Sequence, residues 1–501
     1  MASSNFVRTG LHVGFAAVLL VTSIACLAKA DDIVGRPPAS GQTDLTIGEG
    51  AFRHLQALQE IATANGGNRA AGTVGYDRSA QYVAERLRQA GYSVRFEEFE
   101  FPFFEEKSPP VLLTSKPDGS PEPAPNNTVR TLAGSGSREV EARLHAVNLQ
   151  LTDGSPATSV SGCEAKDFDA FERGSVALVR RGTCQFQVKV DNAVAAGAAG
   201  LIIMNEGTDG RTDAFSGVLS KGADVPVVGV PYEFGRTLAT RTGGSVRLAV
   251  NAVSGKRVTR NVLADMRASM GADDKSALIV AGAHLDSVPE GPGINDNGSG
   301  SAAVLEAALR LAQDPARGRM RFGFWGAEER GLIGSRHHVS SLSDDERRQI
   351  AVYVNLDMVG SPNFTRFVRG SVAKLEGLAA IVREEVVTEF RTHDLPFEER
   401  TGGRFGSDDA SFSQKGIPTV GLYTGASGRK SEGEAKAFGG EAGRPYDPCY
   451  HRACDAIENI NREVLEQNTR ALVRALRAAA NAARTPSASV PEAVDLPGAK
   501  Q

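Results

Sequence analysis

At 501 residues, the chain is longer than one hydrophobic core usually organises, which predicts two folded domains plus tails. Its 41% hydrophobic and 23% charged residues are ordinary for a globular protein. The formal net charge is −4 and Lys and Arg are scattered, so the chain offers no basic footprint and nucleic-acid partners are excluded.

Arg8, an apolar run from Leu11 to Leu27 and the small-x-small triplet Ala28-Lys29-Ala30 read as a signal peptide over residues 1–30, with the mature chain starting at Asp31. The uninterrupted apolar stretch Val13 to Ala25 is short of the roughly 20 residues a membrane span needs, so no stable span is expected after cleavage. Lipid attachment at Cys26 is disfavoured by Ser23. An exported, extracellular or periplasmic protein follows, and its remaining cysteines can pair in three ways. Proximity favours Cys163 with Cys184 and Cys449 with Cys454; the absence of a Cys-x-x-Cys pair speaks against thiolate metal binding.

Helical spacing runs from Phe52 to Asn65 and from Asp77 to Gln89, stopped by Gly66-Gly67 and Gly91. Ser93 to Phe99 alternates like a strand with one wet side. Pro, Ser and Asn dominate Pro109 to Asn127, which reads as a crossover linker. Beyond it, strand-like runs at Val176–Val179, Gly200–Met204 and Val225–Val230 surround one helical stretch, Lys189–Ala198, giving a smaller, mostly β insert that ends near Val253. Gly255 to Arg260 leads back. The returning half alternates strands (Ala277–Ala283, Met320–Phe324, Val352–Leu356, Pro418–Tyr423) with helices (Gly298–Ala312, Arg462–Ala483). The fold class is therefore α/β, a mixed, mostly parallel sheet with helices on both faces. The tail from residue 484 is expected to be disordered.

The returning half also carries the chemistry. In open α/β sheets, loops beyond the carboxyl ends of the strands project side chains into one crevice. Such loops here hold His284 and Asp286, Asp296 between Asn295 and Asn297, Glu328 and Glu329, and Asp357, while His451 comes later in the chain. Two imidazoles with several carboxylates suit two adjacent zinc ions. Asp296 is the bridging candidate, because Gly291, Gly293 and Gly298 allow a tight loop. His284 and Asp357 then serve one ion, Glu329 and His451 the other. Glu328 is left over to take a proton from the attacking water and hand it to the departing amine, and Asp286 stands behind His284, fixing its tautomer.

The motifs His284-Leu285-Asp286, Gly293 to Gly300, Trp325 to Glu329, Asn355 to Gly360 and Asp447 to His451 resemble the secreted bacterial di-zinc aminopeptidases of family M28. Gly67-Asn68-Arg69-Ala70 with Gly75-Tyr76 resembles the same family's first segment. The resemblance covers Phe52 to about Phe104 and about Arg260 to Ala483. It implies the same metal ligands, His284, Asp296, Glu329, Asp357 and His451, two zinc ions per chain, and Glu328 as general base. Tyr450 resembles the residue that steadies the tetrahedral intermediate; a packed aromatic beside a disulfide is its rival role. Gly162-Cys163, Val176 to Phe186 and Ala195 to Ala198 resemble the protease-associated (PA) domain, which contributes no catalytic residue.

The implied layout is a discontinuous zinc peptidase domain (residues 45–115 and 256–483) with a PA insert (125–253). One departure stands out: the family often shows Ser-Asp-His near the substrate pocket, whereas this chain has Ser407-Asp408-Asp409, with Gly406 ahead and Arg404 two residues further upstream. The expected activity is release of an N-terminal residue, apolar and Leu-like, from peptides or proteins by a monomeric enzyme. A carboxypeptidase of the same fold, a one-zinc glutaminyl cyclase and a non-catalytic peptide-binding protein are the alternatives.

Overall fold

The computed structural model describes residues 46–116, 119–151, 159–208, 211–266, 277–314, 318–371, 374–401 and 406–483. The leader with Cys26, Arg404 and the tail from residue 484 lie outside the described residues. α1 (Ile47–Ala64) starts on a reciprocal cap: the Glu49 amide donates to the Thr46 hydroxyl at 3.1 Å and the Thr46 amide to the Glu49 carboxylate at 2.9 Å. α2 (Val74–Gln89) follows, and both helices bury the apolar stripe read from their spacing, including Leu55, Leu58, Val83 and Leu87.

β1 (Ser93–Ser115) overturns the linker expected from Pro109 onward, because it continues through both prolines, paired antiparallel with β8 (Ser245–Asp265). Register shifts between Glu106 and Val111 absorb the prolines, which cannot donate to a ladder. The expected return segment Gly255 to Arg260 is likewise interior to β8. β2 (Pro121–Pro123) pairs with the end of β1. The two passages between the halves of the chain are therefore one continuous two-stranded ribbon.

Between them lie β3 (Arg130–Thr131), β4 (Arg138–Ala146), β5 (Val176–Arg180), α3 (Phe186–Ala195), β6 (Gly200–Met204), β7 (Val227–Val230) and α4 (Tyr232–Ala239). β4 to β7 are parallel neighbours in that order, β3 closes the far edge antiparallel, and β4 joins β8. Val190 and Ala193 of α3 cover one face and Leu238 of α4 the other. α4 is a second helix where the periodicity pointed to one, and its eight residues are too short for that signal. The Cys163–Cys184 and Cys449–Cys454 disulfides both form, as proximity favoured.

The returning half comprises β9 (Leu278–His284), α5 (Gly300–Leu311), β10 (Met320–Trp325), α6 (Ile333–Ser341), α7 (Asp344–Gln349), β11 (Ile350–Leu356), β12 (Phe367–Gly370), α8 (Gly377–Thr392), β13 (Glu398–Thr401), α9 (Asp409–Ser413), β14 (Thr419–Tyr423), α10 (Glu432–Phe438) and α11 (Arg462–Ala482). Its sheet runs β13-β12-β14-β11-β9-β10-β8, with the central β14, β11, β9 and β10 mutually parallel. Alternate residues of β9 enter different cores. Ile279, Ala281 and Ala283 pack with Leu55, Leu305 and Leu472 of α1, α5 and α11, whereas Leu278 and Val280 pack with Val339 and Phe412 of α6 and α9. That double coverage is why the strand reads as an unbroken apolar run.

Candidate metal centre

Because β9, β10, β11 and β14 are parallel, their carboxyl ends open on the same edge of the sheet. His284 is the last residue of β9, Glu328 and Glu329 lie just beyond β10, and Asp357 directly follows β11. Each loop turns sharply. Ala327, Met358 and His451 hold φ of 56°, 49° and 57°, a left-handed backbone that costs a non-glycine residue on the order of 1–3 kcal/mol and persists only where surrounding contacts enforce it. Gly293 has a φ of 61°, and a Cβ there would sit 2.4 Å from the Asp296 carbonyl oxygen. The loop that carries Asp296 therefore needs glycine at that point.

Five of the residues singled out from the sequence converge. Asp296 faces both histidines: its Oδ1 lies 3.3 Å from His284 Nε2 and its Oδ2 lies 3.1 Å from His451 Nε2. Asp357 Oδ1 approaches His284 Nε2 at 3.5 Å, and Glu329 Oε2 approaches His451 Nε2 at 3.2 Å. Two donor triads result, His284–Asp296–Asp357 and Asp296–Glu329–His451, with Asp296 common to both. Glu328 belongs to neither; its carboxylate groups instead with His284 and Glu329.

Asp286 corrects one expectation. His284 Nδ1 meets the Asp286 main-chain carbonyl at 3.1 Å, while the Asp286 carboxylate is 3.8 Å away. The carboxylate is engaged elsewhere, its two oxygens accepting the Glu328 amide at 3.1 Å and the Glu329 amide at 3.3 Å. The tautomer of His284 is thus set by a peptide carbonyl, and the Asp286 side chain fixes the loop of the two glutamates. The asparagines beside Asp296 have similar work. Asn295 Oδ1 accepts the Gly360 amide at 3.1 Å, and Asn297 joins the Leu356 carbonyl (2.9 Å) to the Met358 amide (3.2 Å), which binds the Asp296 loop to the Asp357 loop. Tyr450 stacks on His451 with ring centroids 3.8 Å apart. Burial, followed by the charges of Asp296 and Glu329, raises its phenol well above the ordinary value, so the hydroxyl stays a donor.

The electrostatics fit divalent cations. Burial and then Asp296 push Glu329 up to about 7, and burial together with Asp408, Glu329 and Asp357 raises Glu328 well above the usual carboxylate range. Burial works against charge on both histidines, yet the surrounding carboxylates outweigh it and hold His451 up to about 10 and His284 well above 6.5. Such mutual repulsion among buried acids is what bound cations relieve. Glu329 Oε1 is buried without a hydrogen-bond partner among the described residues, a free donor atom at the second triad. Two imidazoles and three carboxylates are also the donor set zinc accepts.

The centre lines a cleft of about 290 Å³. Sequence reasoning missed four of its other lining residues, Arg369, Arg400, Tyr423 and Ala426. A signal existed for Arg369, a charged residue inside the short strand β12, buried against Asp409 at 3.3 Å. Of the departing run Ser407-Asp408-Asp409, Asp409 pairs with Arg369 and Ser407 lines the cleft beside Gly406.

Comparison with known proteins agrees with this geometry. The sequence profile of Peptidase family M28 matches residues 261–476, and that of the PA domain matches residues 147–238. An aminopeptidase of Pseudomonas aeruginosa is 42% identical over 431 residues, covering 84% of this chain and 78% of the relative. Among solved structures, an aminopeptidase from Aneurinibacillus sp. strain AM-1 superposes with a TM-score of 0.65 at 25% identity, over 90% of this chain and 98% of that one. A zinc aminopeptidase from Bacillus subtilis gives a TM-score of 0.62 at 27% identity, over 86% and 94%. With a relative 42% identical over 84% of the chain, matching profiles and a shared fold, the chain belongs to peptidase family M28 and carries a PA domain ahead of its peptidase segment.

Proposed function

We propose that the protein is a zinc-dependent aminopeptidase that releases single, apolar, Leu-like residues from peptide N-termini. The observation that carries this reading is Asp296, whose two oxygens face two different histidines, each completed by a further carboxylate. His284 and Asp357 would hold one zinc ion, Glu329 and His451 the other, and Asp296 both. Two zinc ions, when bound, supply Lewis acidity toward the scissile carbonyl and the attacking water.

The chain's own residues do the rest. Glu328, at the cleft wall and outside both triads, takes the proton of the attacking water and returns it to the departing amine. Once it holds that proton, its burial among acids favours the protonated form until the amine takes it. Tyr450 donates its hydroxyl to the oxyanion of the tetrahedral intermediate. The carboxylates around Glu328 and Asp357 attract the substrate's free ammonium group, and Met358, Tyr423 and Ala426 offer the first side chain apolar surface. Asp286 acts through the glutamate loop. Residues 45–115 and 256–483 form the peptidase domain and 125–253 the insert, and the disulfides support export from the cytosol.

Arg369 and Arg400 in the cleft lining favour keeping one rival, a carboxypeptidase that would set cations against the substrate's terminal carboxylate. Leucine and lysine anilides, assayed beside an N-terminally blocked peptide with a free carboxyl end, separate the two. The aminopeptidase reading expects anilide turnover and an intact blocked peptide; cleavage of the blocked peptide from its carboxyl end would refute it.

A further inference from the structure

The loop bearing Asp296 is gripped from both sides by residues outside the cleft. On its amide side, Asp455 Oδ1 accepts the Asn295 amide at 2.8 Å, Oδ2 accepts the Asp296 amide at 2.9 Å, and the Asp455 carbonyl accepts the Ile294 amide at 2.9 Å. Three consecutive peptide N–H groups therefore converge on one residue. On the carbonyl side, the Arg69 guanidinium donates to the Pro292 carbonyl at 2.9 Å, to the Gly293 carbonyl at 2.6 Å and to the Leu285 carbonyl. Both side chains are sealed from solvent, Asp455 at 2% exposure and Arg69 at 0%, and neither lines the cleft.

Charge and geometry match in each case. A carboxylate accepts peptide N–H groups and a guanidinium fork donates to carbonyls, and hydrogen bonds with one charged partner are roughly twice as strong as neutral ones. Asp455 also directly follows Cys454, the closing residue of the disulfide loop that carries Tyr450 and His451. A single residue thus ties the backbone of Asp296 to the segment that supplies His451, whose imidazole lies 3.1 Å from Asp296.

We propose that Asp455 and Arg69 are positioning residues for the bridging carboxylate, holding its loop so that the two oxygens of Asp296 address two separate ions. This rests on the reading of Asp296 as a shared zinc ligand. A carboxylate that must serve two cations tolerates little rotation of its peptide, and groups that orient metal ligands typically contribute about 10- to 100-fold in affinity or activity.

The test is Asp455→Asn in the full-length, zinc-loaded protein, where an amide group would point N–H at N–H. Bound zinc, measured against a graded chelator series, should be held about 10- to 100-fold more weakly. At saturating zinc, kcat on leucine anilide should fall by about 10-fold or more, with KM within about 3-fold, since the substrate touches neither residue. Arg69→Lys, which cannot reach all three carbonyls, should show the same pattern and serves if the first variant does not fold. Glu306→Gln is the control, a buried carboxylate bonded to Arg310 at 2.7 Å away from the cleft. It should lower thermal stability while leaving zinc affinity intact. Wild-type zinc affinity and kcat in a folded Asp455 or Arg69 variant would overturn the proposal, as would equal zinc weakening in the Glu306 variant. If the wild type cleaves no anilide, the aminopeptidase reading fails, and the zinc titration still judges this one.

Discussion

Replacing Glu328 with Gln separates the base from the ligands in one step. The amide keeps the volume and planar shape of the side chain but cannot take a proton from water. General-base catalysis by a positioned side chain contributes roughly 10²- to 10⁴-fold, which corresponds to about 3–5 kcal/mol of barrier at 1.36 kcal/mol per decade. The upper half of that range is expected, because among the described residues Glu328 is the one cleft-lining acid outside both triads. Zinc content should remain that of the wild type, since His284, Asp296, Glu329, Asp357 and His451 are untouched. It should bind no less readily, the variant having removed an acid that is itself crowded by Asp408, Glu329 and Asp357. The assay pairs kcat on leucine anilide with elemental analysis of the dialysed protein. Loss of zinc together with activity would mean that Glu328 is a ligand; retention of more than about a tenth of kcat would mean that it is not the base.

Asp286→Asn turns one of two amide-accepting oxygens into a donor facing the Glu328 or Glu329 N–H, so kcat at saturating zinc should fall about 10- to 100-fold, read from steady-state kinetics. The disulfides should dissociate stability from activity. Cys163–Cys184 closes a loop with a sequence separation of 21 and Cys449–Cys454 one of 5, so removing them should cost about 3 and about 2 kcal/mol in denaturant unfolding. Only the second, smaller loss should reduce zinc affinity, because that loop holds His451. His338, buried against Glu97 at 3.1 Å, titrates below its ordinary value because burial disfavours its charge. A depressed folded-state value gives stability that is full above the unfolded value of 6.5 and is lost as pH falls below it. The stability gap between wild type and His338→Gln should therefore be wider at pH 8 than at pH 5; a constant gap in denaturant midpoints would refute this.

Part of the centre was legible because His284 and Asp357 stand at the ends of apolar strands, which fixes where their side chains emerge; Asp296 and His451 lie in loops away from any strand end and were reached through their motifs. Asp286 was placed correctly beside His284 but given the wrong partner, since sequence adjacency cannot tell a residue's carbonyl from its carboxylate. The arginine and tyrosine lining of the cleft was illegible for a different reason. Arg369, Arg400 and Tyr423 sit on strands or strand ends whose pairing order departs from chain order, and no local pattern brings them to Asp357. Asp455 and Arg69 are contacts over 160 and more than 200 residues. Pro109 and Pro110 misled in the opposite direction, because a bulge lets an edge ladder carry residues that composition assigns to a loop.

The ribbon of β1 and β8 is the stalk on which the insert is carried. Glu98 stands opposite Arg260 and Phe99 opposite Thr259, so the outgoing and incoming strands are already neighbours where they leave the central sheet. Everything from there to the PA core hangs on a hairpin whose tip has been opened and filled. Closing it with a two-residue turn after Glu98 would leave the β1–β8 pairs from Ser93 to Glu98 and the β8–β10 pairs intact, but would remove Phe99, Phe101 and Phe103, which pack against Ala327 in the turn that carries Glu328, so the stalk that bears the PA core also braces the glutamate loop.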